Sequence, residues 1–355
     1  MTPILSALAQ AIKKVATGPH LSKDLTQQEA FDAMNEILAG DADPVQAAIF
    51  FIALRIKTET HDENFGILQA LQSCTQQSSA NVEQLLILSD PFNGFNRHCP
   101  ISAFLPAVLA ASDLPSLSQG VKLMGPKFGV THSQVLAVAG FNVDLSIEAA
   151  TAQINTPEIA WTFIDQQQAT PQLYELQDLR TRMIKRPSLA TLEKMVMPIK
   201  AQGKTHLQIG FVHKSYPAVL AKLAVEAGFA SAFIIRGIEG GIVPTLRETS
   251  NCFQSFNGVA EAYSINPKDF DIEQTTRGVL PKESMTVTAE HTADLGLKAL
   301  AGQTGDALDT LILGGASALW HCGLFASKLL AAAHVRHVIK SGRAAHYFEQ
   351  GVKSA

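Results

Sequence analysis

LQIGFVHKSYPAVLAKLAVEAGFASAFIIR, residues Leu207–Arg236, spells out one structural unit. Leu207–Val212 is an apolar run of strand length, and Pro217–Ala227 repeats apolar residues at helical spacing with proline in its first turn. Gly228 supplies the stop, and Ser231–Arg236 turns apolar again. Two strands joined by a helix of this length are expected to lie parallel, because a parallel neighbour needs a long crossover and a hairpin does not. Upstream the same alternation recurs. Val82–Leu88 reads as a strand, Asp90-Pro91-Phe92-Asn93-Gly94 as a turn, and Ser102–Ala111 as a helix. Val121–Met124, Phe141–Leu145 and Ile159–Ile164 read as further strands, with a helix at Thr131–Ala139. Pro171–Ile184 and Ser188–Ile199 give two helical patterns just before the quoted unit. The fold class is therefore α/β, with a central parallel or mixed sheet flanked by helices.

The N-terminal part has a different period. Thr26 with Glu29 forms a capping box ahead of Phe31, Met34, Ile37 and Leu38, and Thr60 with Glu63 repeats it ahead of Phe65, Leu68 and Leu71. Between them Asp43 caps a helix that has Pro44 at its first position. Short connections between such helices predict a small helical bundle ending near Ser79.

Composition narrows the class of protein. A chain of 355 residues with 46% hydrophobic and 17% charged residues has room for two domains and an ample core. Cys74, Cys99, Cys252 and Cys322 lie far apart without a CxxC pair, which predicts isolated reduced thiols and a cytoplasmic protein. In MTPILSALAQAIKK the lysines follow the apolar run, the reverse of a secretory signal. Thr310–Ser327 lacks formal charge but contains Gly314, Gly315, His321 and Gly323, so a buried helix is expected there, with no membrane association.

Charge is segregated along the chain. Leu179–Lys222 holds nine cations (among them Arg180, Arg182, Lys185, Arg186 and Lys194) against Glu193 alone, leaving 19 basic and 31 acidic residues elsewhere. Arg182 and Arg186 stand four apart, and the segment offers no carboxylate at helical spacing to pair them. Such a face is expected to meet an anion. Motifs for other chemistry are missing: Pro126 takes the lysine position of the near P-loop Gly120–Lys127, and neither HExxH nor GxSxG occurs.

Several stretches together carry a family resemblance. GVAEAYSINPKDFDI at Gly258–Ile272, the Val121-Lys122-Leu123-Met124-Gly125 element and KSGRAA at Lys340–Ala345 resemble the anthranilate phosphoribosyltransferases, in an order that extends from about Gln28 to Phe348. The resemblance implies a helical domain from residues 1–79 and 168–200, and an α/β domain from residues 80–167 and 201–355. It also implies a homodimer through the helical domain and a cleft at the interdomain hinge. Members of that family transfer a phosphoribosyl group from phosphoribosyl pyrophosphate to an aromatic amine, and nucleoside phosphorylases share the fold.

Residue by residue, the donor machinery departs from that pattern. Pro91 and Phe92 stand in the loop where the family has glycines for pyrophosphate, and Gly241-Ile242-Val243-Pro244 stands where its metal-binding Asp-Glu pair falls. Of the lysine-histidine-glycine element only Lys122 and Gly125 remain. Arg180 matches the arginine that grips the acceptor carboxylate, and Arg186 a second family arginine. The resemblance is thus to a divergent, non-biosynthetic branch associated with nucleic-acid binding. The expected function is binding of nucleic acid or another phosphate-bearing ligand in a basic interdomain groove lined by Lys122, Lys127, Arg180, Arg182, Lys185 and Arg186, with Phe92, Phe95 or Phe128 as stacking surfaces. No catalytic residue, metal or cofactor is assigned, and magnesium is not expected. The alternative is a glycosyl or phosphoribosyl transferase of another acceptor, and a third reading is a structural or protein-binding role.

Overall fold

A computed structural model describes residues 5–18, 20–281 and 286–355. The chain opens with four helices, α1 (Ala7–Val15), α2 (Gln27–Leu38), α3 (Pro44–Lys57) and α4 (His61–Ser73). Their starts follow from side chains: the Thr26 hydroxyl accepts from Glu29 N while Glu29 accepts from Thr26 N, and Thr60 and Glu63 repeat the exchange. Asp43 accepts from Val45 N and Gln46 N ahead of α3. Leu8, Met34, Phe50, Leu54, Ile67 and Leu68 are fully buried between these helices. Each such side chain contributes on the order of 1.5–3 kcal/mol on leaving water.

The α/β part begins with β1 (Ser78–Ala80), β2 (Gln84–Ser89), α5 (Leu105–Ala110), β3 (Ser116–Gly120), α6 (His132–Val138), α7 (Ile147–Asn155) and β4 (Trp161–Asp165). Four short helices follow, α8 (Gln166–Ala169), α9 (Pro171–Tyr174), α10 (Gln177–Arg182) and α11 (Leu189–Leu192). Then come β5 (Ile199–Ala201), β6 (Lys204–Gly210), α12 (Tyr216–Glu226), β7 (Ser231–Ile235), β8 (Ser250–Ser255) and β9 (Glu261–Ile265). The chain closes with α13 (Ala289–Leu300), α14 (Asp306–His321), α15 (Lys328–Lys340) and α16 (Arg343–Ser354).

The main sheet has the order β4-β3-β2-β6-β7-β8-β9. Its first five strands are parallel, in the register Trp161↔Ser116↔Leu86↔His206↔Ser231, and the last two add antiparallel, beginning with Ile235↔Cys252. This is the mixed sheet that the strand-helix alternation predicts, and the unit β6-α12-β7 holds its centre.

Between β4 and β5 the chain returns to the helical bundle. Gln76 N donates to the Ala169 carbonyl, the Thr75 and Thr170 hydroxyls meet at 3.3 Å, and the Arg55 guanidinium on α3 bonds the Arg186 carbonyl. The α8–α11 segment thus lies on α3 and α4 with one face toward the α/β part.

Four expected elements differ. The second strand lies at Ser116–Gly120, ahead of the apolar run Val121–Met124, because Ser116, Ser118 and Gln119 are buried between two neighbouring strands. Gln119 makes that tolerable by donating to the Ser89 hydroxyl at 2.9 Å and the Lys194 carbonyl at 3.1 Å. Phe141–Leu145 is a loop whose alternating apolar residues anchor it to the core, with the Phe141 ring tilted against Trp161 at 4.8 Å between centroids. The two helices expected over Pro171–Ile184 and Ser188–Ile199 break into α9, α10 and α11, and the second ends in a turn at Glu193–Met195 before β5. The uncharged Thr310–Ser327 run is α14 up to His321, then a turn, and no helix among the described residues is long and apolar enough to cross a membrane.

Candidate functional site

Because β2, β3, β6 and β7 are parallel, the loops that leave their carboxyl ends gather at one edge of the sheet, where ligands bind in open α/β folds. The loop after β2 is tied down from below. Asp90 is buried, its Oδ1 accepts from Ile242 N at 2.8 Å, and its Oδ2 lies 2.6 Å from the Ser102 hydroxyl and 2.7 Å from His132 Nε2. Burial opposes ionisation of Asp90, but the His132 ring and the Ser102 and Ile242 donors outweigh it and hold the carboxyl below its usual range. Ser, His and Asp meet here without the order of a catalytic relay. Ser102 and Asp90 both approach the same nitrogen of His132, and all three residues are buried. The cluster is a staple that joins the loops after β2 and β7.

Above it, Phe92 is buried with Val121 and Met124 in a small apolar cluster. The loop after β7 folds back over β6 so closely that a Cβ on Gly210 would sit 1.9 Å from the Gly240 carbonyl. Glu239, in left-handed conformation at φ 54°, points away from this contact. It accepts from Arg97 N at 2.7 Å, pairs with Lys127 and lies 3.6 Å from His98. Burial works against its charge, yet His98 and Lys127 pull the Glu239 carboxyl down to about 2. Ile242 and Val243, at the positions of the expected metal carboxylates, are apolar, and Ile242 is fully buried. Among the described residues no group of three or more His, Cys, Asp or Glu side chains is arranged to hold a metal ion.

Between these loops and the α10–α11 segment lies a cavity of about 140 Å³. Phe92, Met124 and Pro126 form an apolar wall, and His213 and Tyr216 stand at the start of α12. Arg55, Lys185 and Arg186 are exposed lining residues, whereas Arg180 and Lys194 are buried ones. The only lining carboxylates among the described residues are Glu193 and Glu239, and both are already engaged. Arg55, Lys185, Arg186 and Lys194 take part in no ion pair among the described residues, so the cleft carries uncompensated positive charge.

The six residues expected to line a groove separate on this geometry. Lys185 and Arg186 face the cavity. Arg180 reaches it with its guanidinium already filled: Nη1 and Nη2 donate to the two Glu193 oxygens at 2.7 and 2.8 Å, and the residue is 3% exposed. Arg182 is paired outside the cavity with Asp178 at 3.1 Å, a carboxylate one residue ahead of the basic segment. Lys122 is paired with Asp144 at 2.8 Å, away from the cavity lining. Lys127 is spent on Glu239 and on the Gly94 carbonyl. Of the three phenylalanines, Phe92 and Phe95 are buried and Phe128 is half exposed.

Two lining cations lay outside the sequence reading of the groove. Arg55 comes from the last turn of α3, 131 residues from Arg186 in the chain, and no local pattern marks it. Lys194 is part of the basic segment, but its burial follows only from the turn at Glu193–Met195. Its Nζ donates to the Gly210 carbonyl at 2.8 Å. Burial lowers its ammonium to about 8, with Arg186 adding to the effect and Asp90 and Glu193 opposing it.

Known proteins match this chain over nearly all of its length. The pattern of the glycosyl transferase family's helical bundle domain fits residues 9–74, and that of the same family's a/b domain fits residues 93–345. An anthranilate phosphoribosyltransferase of Desulfotalea psychrophila is 25% identical over 345 residues, covering 95% of this chain and 94% of its own. One from Methanobrevibacter smithii is 25% identical over 355 residues, with 98% of each chain covered. Among solved structures, the anthranilate phosphoribosyltransferase of Thermus thermophilus superposes with a TM-score of 0.80 at 20% identity over 99% of both chains. The Saccharomyces cerevisiae enzyme in complex with PRPP and Mg gives 0.80 at 14% identity, over 98% of this chain and 97% of its own.

Proposed function

Because the chain belongs to the glycosyl transferase family through both its helical bundle and its a/b domain, we propose that it is a divergent, non-biosynthetic member that binds polyanions, nucleic acid foremost, in the interdomain cleft. The observation that carries this is the charge of the cavity: four lining cations stand without ion-pair partners among the described residues, while both lining carboxylates are engaged. Phosphates are the anions such a groove takes, through contacts that position a backbone and carry no base code.

The residues do not fit a magnesium site. Ile242 and Val243 supply no oxygen, and the carboxylates nearest them, Asp90 and Glu239, already meet Ser102, His132 and backbone N–H groups or Lys127 and His98. Pro91 and the buried Phe92 support the same reading of the loop after β2, where pyrophosphate would need close backbone approach. Phosphoribosyl transfer is accordingly taken to be lost, in a cytoplasmic protein with four free thiols.

A homodimer through the helical domain belongs to the same proposal. Val45, Ile49 and Ile56 leave a row of exposed apolar side chains on α3, at 64%, 43% and 76% exposure, which a second copy would cover. Light scattering showing a monomer at micromolar concentration would remove that part.

The functional test has two arms. A labelled single-stranded oligonucleotide with hydroxyl ends should bind at low salt, as read by fluorescence anisotropy. Incubation with phosphoribosyl pyrophosphate, magnesium and a panel of aromatic amines should release no pyrophosphate above the rate without protein. Turnover without oligonucleotide binding would replace this reading with that of an active transferase.

A further inference from the structure

Lys194 presents an electrostatic problem that the fold leaves open. It is 6% exposed and lines the cavity, and the one bond its ammonium makes among the described residues is to a neutral carbonyl, that of Gly210. An ammonium has three protons to donate, so two point elsewhere. The carboxylates around it are engaged with others: Glu193 receives both Arg180 nitrogens and Gln166, and Asp90 receives Ser102, His132 and Ile242 N. A buried ammonium whose neighbouring carboxylates are bonded to other donors is unfavourable, and an anion from outside is the direct remedy.

Position decides which anion. The exposed cations Arg55, Lys185 and Arg186 mark the mouth, and Lys194 lies on the floor beside the end of β6. On one side the apolar wall of Phe92, Met124 and Pro126 offers nothing to a second phosphate. A volume of about 140 Å³ equals roughly five water molecules, room for one phosphate and part of its sugar. A strand lying across the mouth would set its phosphodiesters against the exposed cations without reaching the floor. α12 also starts at this mouth, and Ser215 gives its first turn no side-chain cap.

We propose that the cleft floor is a site for a terminal phosphomonoester, with Lys194 as its charge partner, so that a phosphorylated strand end enters end-on. This rests on the polyanion reading of the cleft and adds the class of ligand end that it selects. A monoester is close to a dianion above about pH 6, where a diester carries one charge. The Lys194 ammonium is charged below about 8. Asp90, held by His132, and Glu193, held by Arg180, face it from β2 and the Glu193–Met195 turn, and Arg186 faces it from the mouth. The phosphorylated-end preference should therefore peak between about pH 6 and 8.

The test compares three oligonucleotides of one sequence, ending in 5′-phosphate, 3′-phosphate or hydroxyls only, on the wild-type protein by anisotropy, with inorganic phosphate and ribose 5-phosphate as competitors. One phosphorylated form should bind about tenfold tighter or more, the scale of a single charge-assisted contact. Lys194→Met should abolish that preference, and should not lower the melting temperature, since it removes a charge that burial disfavours. Equal wild-type affinity for all three strands overturns the site, whatever the variant does. A preference that survives in folded Lys194→Met also overturns it. Binding of ribose 5-phosphate or phosphate with none of the hydroxyl-ended strand would support the site as one for small phosphomonoesters, and would remove the polyanion reading instead.

Discussion

Replacing Arg180 separates its structural role from the ligand-gripping role that its position in the family pattern implies. The guanidinium and the Glu193 carboxylate are 4% and 1% exposed at their side chains and form two bonds of 2.7 and 2.8 Å, with Gln166 donating a third at 2.9 Å. Removing one partner of a buried pair leaves the other charged and dry, a loss of about 3–5 kcal/mol in comparable sites. Arg180→Met should therefore destabilise the protein by that amount, and Glu193→Leu by a similar one. The double variant Arg180→Met/Glu193→Leu should lose much less than the sum, because neither charge is stranded. Urea unfolding of the four proteins, followed by tryptophan fluorescence, closes the cycle. Arg180→Met with unchanged stability and abolished anion binding would refute the reasoning and return Arg180 to the role of a ligand-binding arginine.

Acid should destabilise the fold through the bonded chain His206–Ser231–His321, whose contacts are 2.7 and 2.9 Å. Burial holds His206 down to about 4 and His321 to about 3, so both stay neutral when folded. Their unfolded forms take up protons below about 6.5, and stability should drop as pH falls from there toward 4, by up to about 1.4 kcal/mol per pH unit for each ring; a urea midpoint unchanged between pH 7 and 5 would contradict this. Gly210→Ala would force its Cβ to within 1.9 Å of the Gly240 carbonyl. Overpacking of that kind destabilises by about 1–3 kcal/mol or more, and because Gly210 also holds Lys194, binding of phosphorylated strand ends should fall along with stability. A variant with both intact would show that the loop can relax.

Sequence reading went furthest where local chemistry and global position agree. Thr26, Asp43 and Thr60 determine helix starts by bonds that reach only three residues, and the β6-α12-β7 unit announces itself by a change of period and a glycine stop. β3 was hidden because an interior strand with buried Ser116, Ser118 and Gln119 shows little apolar signal, and the Gln119 side chain is held by Ser89 and the Lys194 carbonyl, both distant in sequence. The cleft was legible as an excess of charge, not as a set of residues. Whether an arginine is free depends on the carboxylate that packing brings to it: Glu193 comes to Arg180 from thirteen residues away, and Asp144 to Lys122 from twenty-two. Arg55 enters from α3, 131 residues before Arg186 in the chain.

The central claim, that this cleft binds the phosphates of nucleic acid, is tested most directly by the salt dependence of binding. A hydroxyl-ended single strand is titrated at several salt concentrations against the wild-type protein and against Lys185→Ala/Arg186→Ala, whose exposed side chains line the mouth without ion pairs among the described residues. Each lost phosphate contact should flatten the slope of log affinity against log salt by about 0.7, hence about 1.4 for the pair, with the fold unchanged. Identical slopes for the two proteins, or no binding at low salt, would contradict it.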